Sequence, residues 1–365
     1  MIIRLLAALL ALMLGAAPAY AEGPAAQGDF VIRDFRFGTG QILPELRQHY
    51  RTIGTPHRDA QGFVDNAVMI LHGTGGSGAQ FTSRPFFTDE LFGPGQPLDT
   101  ARYFIILPDA IGHGGSSKPS DGLRMAFPAY DYQDIATAQQ RMLREHFRVR
   151  QLRLLMGTSM GCMLSFQHAT ADPGIARALF PLACLPVELA GRNRMWRKAS
   201  IDAIKADPAW QGGAYTSPPV MGLRAAALLL WTAGTAPVRM QADYPSRAAA
   251  EAALNGLIER LATQSDANDI IYWLDSSRNY NPAPLVGRIT VPVTWINSAD
   301  DFINPPGLGI AEREVGKMPN ARFRLIPETA DGHGHGTHSW AKFWKADLAA
   351  LLARSETPVS PGSAR

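Results

Sequence analysis

Leu152-Arg153-Leu154-Leu155-Met156-Gly157-Thr158-Ser159-Met160-Gly161 is the stretch from which the rest of the chain can be read. Leu152 to Met156 is a short apolar run ended by glycine, the mark of a strand covered on both faces. Met160 to Thr170 then shows helical periodicity. Gly157-x-Ser159-x-Gly161 therefore sits on a strand-to-helix turn, where side chains two residues either side of the serine would strike the neighbouring strand and helix. Such a turn projects Ser159 at a helix N-terminus, where the helix dipole and the Met160 amide can stabilise an oxyanion.

Working outward, Ala67 to Leu71, Tyr103 to Leu107, Ala178 to Leu182, Val291 to Ile296 and Arg322 to Ile326 read as further strands. Asp131 to Phe147 and an amphipathic stretch from Thr337 to Leu352 read as helices. Two alternating segments, Phe30 to Phe37 and Leu46 to Ile53, predict an antiparallel pair at a sheet edge. Strand and helix alternate, so the expected architecture is α/β with a mostly parallel, doubly wound sheet. Val187 to Pro284 interrupts the alternation with several helical segments, read as a lid over the carboxyl edge of the sheet. The expected division is core at 22–186 and 285–354, lid at 187–284, and a disordered Ser/Pro-rich tail at 355–365.

Composition narrows the function. With 35 Lys+Arg against 32 Asp+Glu in 365 residues and no basic cluster, nucleic acid is not an expected partner. Met1 to Ala21 carries Arg4, an apolar run from Leu5 to Ala17 and Ala19-Tyr20-Ala21, the pattern of a cleaved secretory signal, so a periplasmic or secreted location is expected. The run is too short to span a bilayer, and stable membrane insertion is not expected. An oxidising compartment would allow Cys162 and Cys184 to pair, but their spacing alone favours two unpaired, partly buried thiols.

A serine nucleophile needs a base and an acid to orient that base. His72-Gly73-Thr74-Gly75-Gly76 follows the Ala67 to Leu71 strand, where the second oxyanion donor belongs; the Thr74 amide is the candidate beside Met160. Asp109 to Ser116 forms a similar loop that shapes the site, with His113 structural. Asp300 and Asp301 end a strand, and either could be the acid. His333, His335 and His338 compete for the base; as H-x-H-x-x-H they could also suggest a metal cluster, but no further ligand pair of suitable spacing accompanies them.

From Phe35 to Leu352 the chain resembles the homoserine O-acetyltransferase family of the α/β-hydrolase superfamily. Gly38-Thr39-Gly40-Gln41-Ile42-Leu43 with Tyr50-Arg51-Thr52-Ile53-Gly54 is similar to that family's first hairpin, and Gly157 to Met163 to its GGSMGG turn. Arg197 to Ile201, Ala206 to Tyr215 and Pro219 to Leu223 resemble its lid in order and spacing. The resemblance implies an α/β-hydrolase fold with a helical lid. It selects Asp301, through D-x-L-F-P-P set against Asp301-Phe302-Ile303-Asn304-Pro305-Pro306, and His335, through G-H-D-A-F-L set against Gly334 to Ser339. It also implies a homodimer formed through the lid.

Two departures concern the acceptor: the family's Asp after the histidine is Gly336, and its elbow Gly is Thr158. Acetyl-CoA and methionine biosynthesis are cytoplasmic, whereas this chain is expected to be exported. The expected function is therefore cleavage of an ester or related acyl bond of a small-molecule substrate through an acyl-enzyme on Ser159, with Asp301 and His335, an oxyanion hole of the Thr74 and Met160 amides, and no metal or organic cofactor. The alternatives are acyl transfer to an alcohol or amine, and a non-catalytic binding protein that keeps the pocket.

Overall fold

A computed structural model of the chain describes residues 25–83 and 85–356. The expected signal segment, Met1 to Ala21, and most of the expected tail lie outside the described residues. Eight strands form one sheet: β1 (Ala26–Arg36), β2 (Ile42–Ile53), β3 (Ala67–Leu71), β4 (Phe104–Pro108), β5 (Leu154–Thr158), β6 (Leu179–Leu182), β7 (Val293–Ser298) and β8 (Ala321–Ile326). Their spatial order is β1-β2-β4-β3-β5-β6-β7-β8. β1 pairs antiparallel with β2 and β2 with β4; every later pairing is parallel. The doubly wound, mostly parallel α/β sheet is therefore present, with its antiparallel hairpin at one edge.

The core helices are α1 (Gln80–Ser83), α2 (Pro85–Leu91), α3 (Tyr132–Arg141) and α4 (Met160–Ala171). The lid contributes α5 (Gly191–Ala206), α6 (Val220–Gly234), α7 (Pro237–Asp243), α8 (Arg247–Gln264) and α9 (Ala267–Asp275); α10 (Ile310–Val315) and α11 (Lys345–Arg354) return to the core. β3 to β7 are buried along their whole length, which explains their near-continuous apolar sequence. One apolar cluster, including Phe166 and Trp295, fills one face of the sheet. A second, including Phe180 and Trp344, fills the other.

Local chemistry accounts for several boundaries. The Asp131 carboxylate caps α3 by accepting from the Gln133 and Asp134 amides, but the helix expected to reach Phe147 ends at Arg141 and continues as a wider π-helical turn from Met142 to Phe147. The stretch expected to be helical from Thr337 is two 3₁₀ turns, Gly334–Ser339 and Ala341–Phe343, before α11 begins at Lys345. Its apolar spacing comes from Trp340 and Trp344, which anchor a loop: His333 stacks on Trp340, and Trp344 donates from Nε1 to the His338 carbonyl. Ser355 does not begin a loose tail either; it is buried, and its Oγ accepts from Arg153 Nη1 at 2.9 Å.

The cysteines also differ from expectation: Cys162 and Cys184 form a buried disulfide with Cα atoms 5.8 Å apart. Because β5 and β6 are neighbours, the first turn of the helix after β5 meets the chain leaving β6, a juxtaposition that spacing along the chain does not reveal. The bond closes a segment with a sequence separation of 22, which by loop-entropy reasoning is worth about 3 kcal/mol.

The lid has a small core of its own, with Ile201, Ile204, Leu223, Ile270 and Leu274. α5 and α6 cross closely because Gly222 has no side chain: a Cβ there would lie 2.6 Å from the Ile204 Cα. α9 fastens the lid to the loop after β4 through Asp269, which accepts from the Ser120 amide at 2.9 Å and hydroxyl at 2.7 Å, and through Trp273 Nε1, which donates to the Gly112 carbonyl. Burial pushes the Asp269 carboxyl up to about 6, with the Ser120 bonds opposing the shift. A raised carboxyl holds its proton more tightly in the folded state, so its contribution is full below the unfolded value and is lost as pH rises through about 6. Asp269→Asn should therefore gain stability relative to the parent between pH 4 and pH 7, by about 1–3 kcal/mol in urea unfolding.

Candidate active site

β5 runs to Thr158 and α4 begins at Met160, leaving Ser159 between them at φ 55°, ψ −112°. A non-glycine residue holds this conformation only when its surroundings enforce it. They do so by contact: a Cβ on Gly157 would lie 2.0 Å from the Gly161 carbonyl oxygen, and one on Gly161 would lie 2.0 Å from that of Leu71 on β3. The Ser159 amide donates to the Leu182 carbonyl at 2.8 Å, tying the turn to β6 as well.

Ser159, His335 and Asp301 lie in one hydrogen-bonded row. Ser159 Oγ is 2.8 Å from His335 Nε2, and His335 Nδ1 is 2.9 Å from Asp301 Oδ2. With Nδ1 facing a carboxylate it carries the proton, leaving Nε2 to accept from the serine hydroxyl. The Asp301 side chain is fully buried and that of His335 is 11% exposed. Burial alone would raise the Asp301 carboxyl, but the bonds from His335 and Asn304 outweigh it and hold the group below its usual value.

The neighbouring candidates occupy other positions. Asp300 Oδ2 accepts from the Gly334 amide at 2.9 Å, so the first carboxylate of the pair holds the backbone that carries His335. His333 is stacked on Trp340, and His338 faces the His335 carbonyl through Nδ1. Among the described residues no group of three or more His, Cys, Asp or Glu side chains is placed to hold a metal ion.

The loop after β3 lies against the serine: a Cβ on Gly73 would be 3.4 Å from the Ser159 Cβ. The Thr74 N–H makes no hydrogen bond to another described residue, and the Met160 N–H opens α4 without an intrahelical acceptor. Two backbone donors thus stand beside Ser159. His72 braces this loop, donating from Nδ1 to the Gly73 carbonyl at 2.8 Å and accepting at Nε2 from the Ala110 amide at 2.9 Å. Burial lowers its pKa, which keeps Nε2 an acceptor. His113 is buried and stacks on Trp273, the structural position expected of it.

Asn304 was missed from the sequence. It stands where the family motif has an apolar residue, and that departure was the available signal. Buried beside the acid, it donates from Nδ2 to Asp301 Oδ2 at 2.9 Å and to the Ala183 carbonyl at 3.1 Å, while its amide reaches Asp301 Oδ1 at 3.1 Å. Ala183, itself at φ 65°, precedes the disulfide cysteine Cys184. The carboxylate is thereby clamped to the strand end that the disulfide ties to α4. Asn304→Leu should lower kcat for a chromogenic acetate ester about ten- to a hundredfold with KM little changed, the scale of a hydrogen bond to a charged group. An unchanged kcat in the folded variant would remove Asn304 from the site.

The three residues open into a cavity of about 680 Å³ between the sheet edge and the lid. Its lining includes Met163, Leu223, Ala227, Leu230 and Ile303, and among the described residues no aspartate or glutamate. Arg197 also lines it, buried and bonded from Nε to Asn193 Oδ1 at 3.0 Å.

With this geometry in view, the comparisons with known proteins are consistent. The chain is 27% identical to a homoserine O-acetyltransferase from Nostoc punctiforme over 334 residues, covering 82% of this chain and 88% of that protein. Its fold matches the crystal structure of homoserine O-acetyltransferase from Bacillus anthracis with a TM-score of 0.80 at 20% identity, covering 92% and 99% of the two chains. It also matches an acetylester hydrolase from Corynebacterium glutamicum with a TM-score of 0.78 at 21% identity, covering 91% and 97%. The family model described as the alpha/beta hydrolase fold spans residues 66–331, from the strand before the Thr74 loop to the threshold of the histidine loop. By that span and by the sheet order that carries it, this chain belongs to the alpha/beta hydrolase fold family and, within it, is homoserine O-acetyltransferase-like.

Proposed function

We propose that the protein is an exported enzyme that cleaves an ester or related acyl bond through an acyl-enzyme on Ser159. The observation that carries this reading is the Ser159–His335–Asp301 row opening into a cavity that has no acidic lining residue among the described ones. Ser159 Oγ attacks the carbonyl carbon while its proton passes to His335 Nε2, and the carbonyl oxygen becomes an oxyanion facing the Thr74 and Met160 amides. Collapse breaks the bond to the leaving alcohol, which takes the proton from His335. Asp301 keeps the imidazole oriented and offsets its positive charge. Water then gives a proton to His335, attacks the acyl carbon, and releases the acid as the proton returns to Ser159.

Water is favoured as the acceptor because the cavity is poorly equipped for an amino acid. An α-ammonium group needs an acidic partner when buried. No lining residue among those described supplies one, and Gly336 stands where the resembling family has its aspartate. The buried disulfide supports export, since such bonds persist in oxidising compartments. Among the described residues no helix is long and apolar enough to cross a membrane.

A second reading, transfer of the acyl group to an alcohol or amine, is favoured by the sequence relatives, which are mainly acyltransferases. The same acyl-enzyme serves both, and they differ only in what reaches it under the lid. Product analysis of residues 22–365 with short-chain acyl esters, with and without homoserine, and with acetyl-CoA plus homoserine, separates them. Hydrolysis predicts free acid at a rate indifferent to homoserine and no reaction of acetyl-CoA. Acyl-homoserine product would establish transfer instead.

A further inference from the structure

Three of the chain's seven tryptophans line the cavity above Ser159: Trp196 on α5, Trp231 on α6 and Trp273 on α9. Each is half-buried, so part of every indole stays open. Two have one side already occupied. Trp273 stacks on His113 with ring centroids 5.1 Å apart and 20° between planes, and its Nε1 is bonded to the Gly112 carbonyl. Trp196 carries the Arg192 guanidinium over its ring at 4.8 Å. Both also line the cavity. Trp231 has no hydrogen-bond, cation or ring partner among the described residues.

The arrangement is close to the chemistry. A Cβ placed on Gly75 would lie 3.4 Å from the Trp273 ring, and Gly75 is two residues from Gly73, which touches Ser159. The cavity, at about 680 Å³, falls in the range of ~300–1,000 Å³ that takes a drug-sized ligand, far more than a short acyl group needs. Three half-buried indoles and their apolar neighbours match a flat aromatic group, which stacks or packs edge-to-face on such rings, while Arg197, buried in the same lining, bonds from Nε to Asn193.

Resting on the acyl-enzyme reading above, we propose that the physiological substrate is an ester bearing an aromatic ring, seated among Trp196, Trp231 and Trp273 while its carbonyl faces Ser159. The rings act through binding: they hold the substrate and take no proton.

The test compares benzyl acetate with cyclohexylmethyl acetate, and ethyl phenylacetate with ethyl cyclohexylacetate, pairs matched in size and similar in leaving group. The proposal expects kcat/KM at least tenfold higher for the aromatic member of one pair, mainly through KM. Trp231→Leu should lose that preference and Trp231→Phe should keep most of it. Binding without turnover is read separately: N-benzylacetamide should quench the tryptophan fluorescence of Ser159→Ala at lower concentration than N-(cyclohexylmethyl)acetamide. Equal binding of the two amides, or an aromatic preference that survives in Trp231→Leu, would overturn the proposal. Tighter benzylamide binding without turnover of any ester would keep the aromatic site and reject the acyl-enzyme reading on which the substrate's ester bond rests.

Discussion

Everything at the site depends on holding one residue in a backbone conformation it would not choose. Ser159 sits at positive φ between β5 and α4, at a cost of order 1–3 kcal/mol. The turn is tight enough that neither Gly157 nor Gly161 could carry a methyl group without meeting a main-chain oxygen. This strain lifts the hydroxyl out of the sheet edge, places the Met160 amide beside it and brings the turn against Gly73. Beside the local contact of Gly157 with Gly161, long-range ones to Leu71 on β3 and Leu182 on β6 enforce it, which ties the turn to the sheet.

The remaining groups are delivered by separate devices. Asp300 grips the Gly334 backbone while Asp301 grips the His335 side chain, so two adjacent carboxylates divide the work of placing one imidazole. Asn304 and Ala183 join the acid to the strand end that the disulfide binds to the elbow helix. The lid closes the cavity from above, and its last helix reaches the core at Ser120 and Gly112. Ser159, Asp301 and the lid are thus each anchored to the sheet, by bonds to different strands or to the loops that leave them.

Much of this was legible in the sequence because the informative signals were local. Gly157-x-Ser159-x-Gly161 after an apolar run specifies a strand, a turn and a helix within ten residues, and the alternation around it specifies the parallel sheet. The choice between Asp300 and Asp301, or among the three histidines, was not legible from the residues alone. It depends on which side chain faces a partner 34 positions away, and the family resemblance supplied that pairing. The disulfide and Asn304 were missed for the same reason: both act across the interface between β6, β7 and α4, which the chain assembles from distant segments. The helix start at Thr337 was misplaced because tryptophans that anchor a loop mimic helical spacing.

The central claim is that Ser159 is the nucleophile and that His335 activates it. Labelling with a fluorophosphonate followed by peptide mass spectrometry tests both at once. The account predicts a single adduct on the Ser159 peptide, absent from Ser159→Ala and strongly slowed in His335→Ala but not in His338→Ala. An adduct on another residue, or labelling of Ser159 at an undiminished rate in folded His335→Ala, would contradict it.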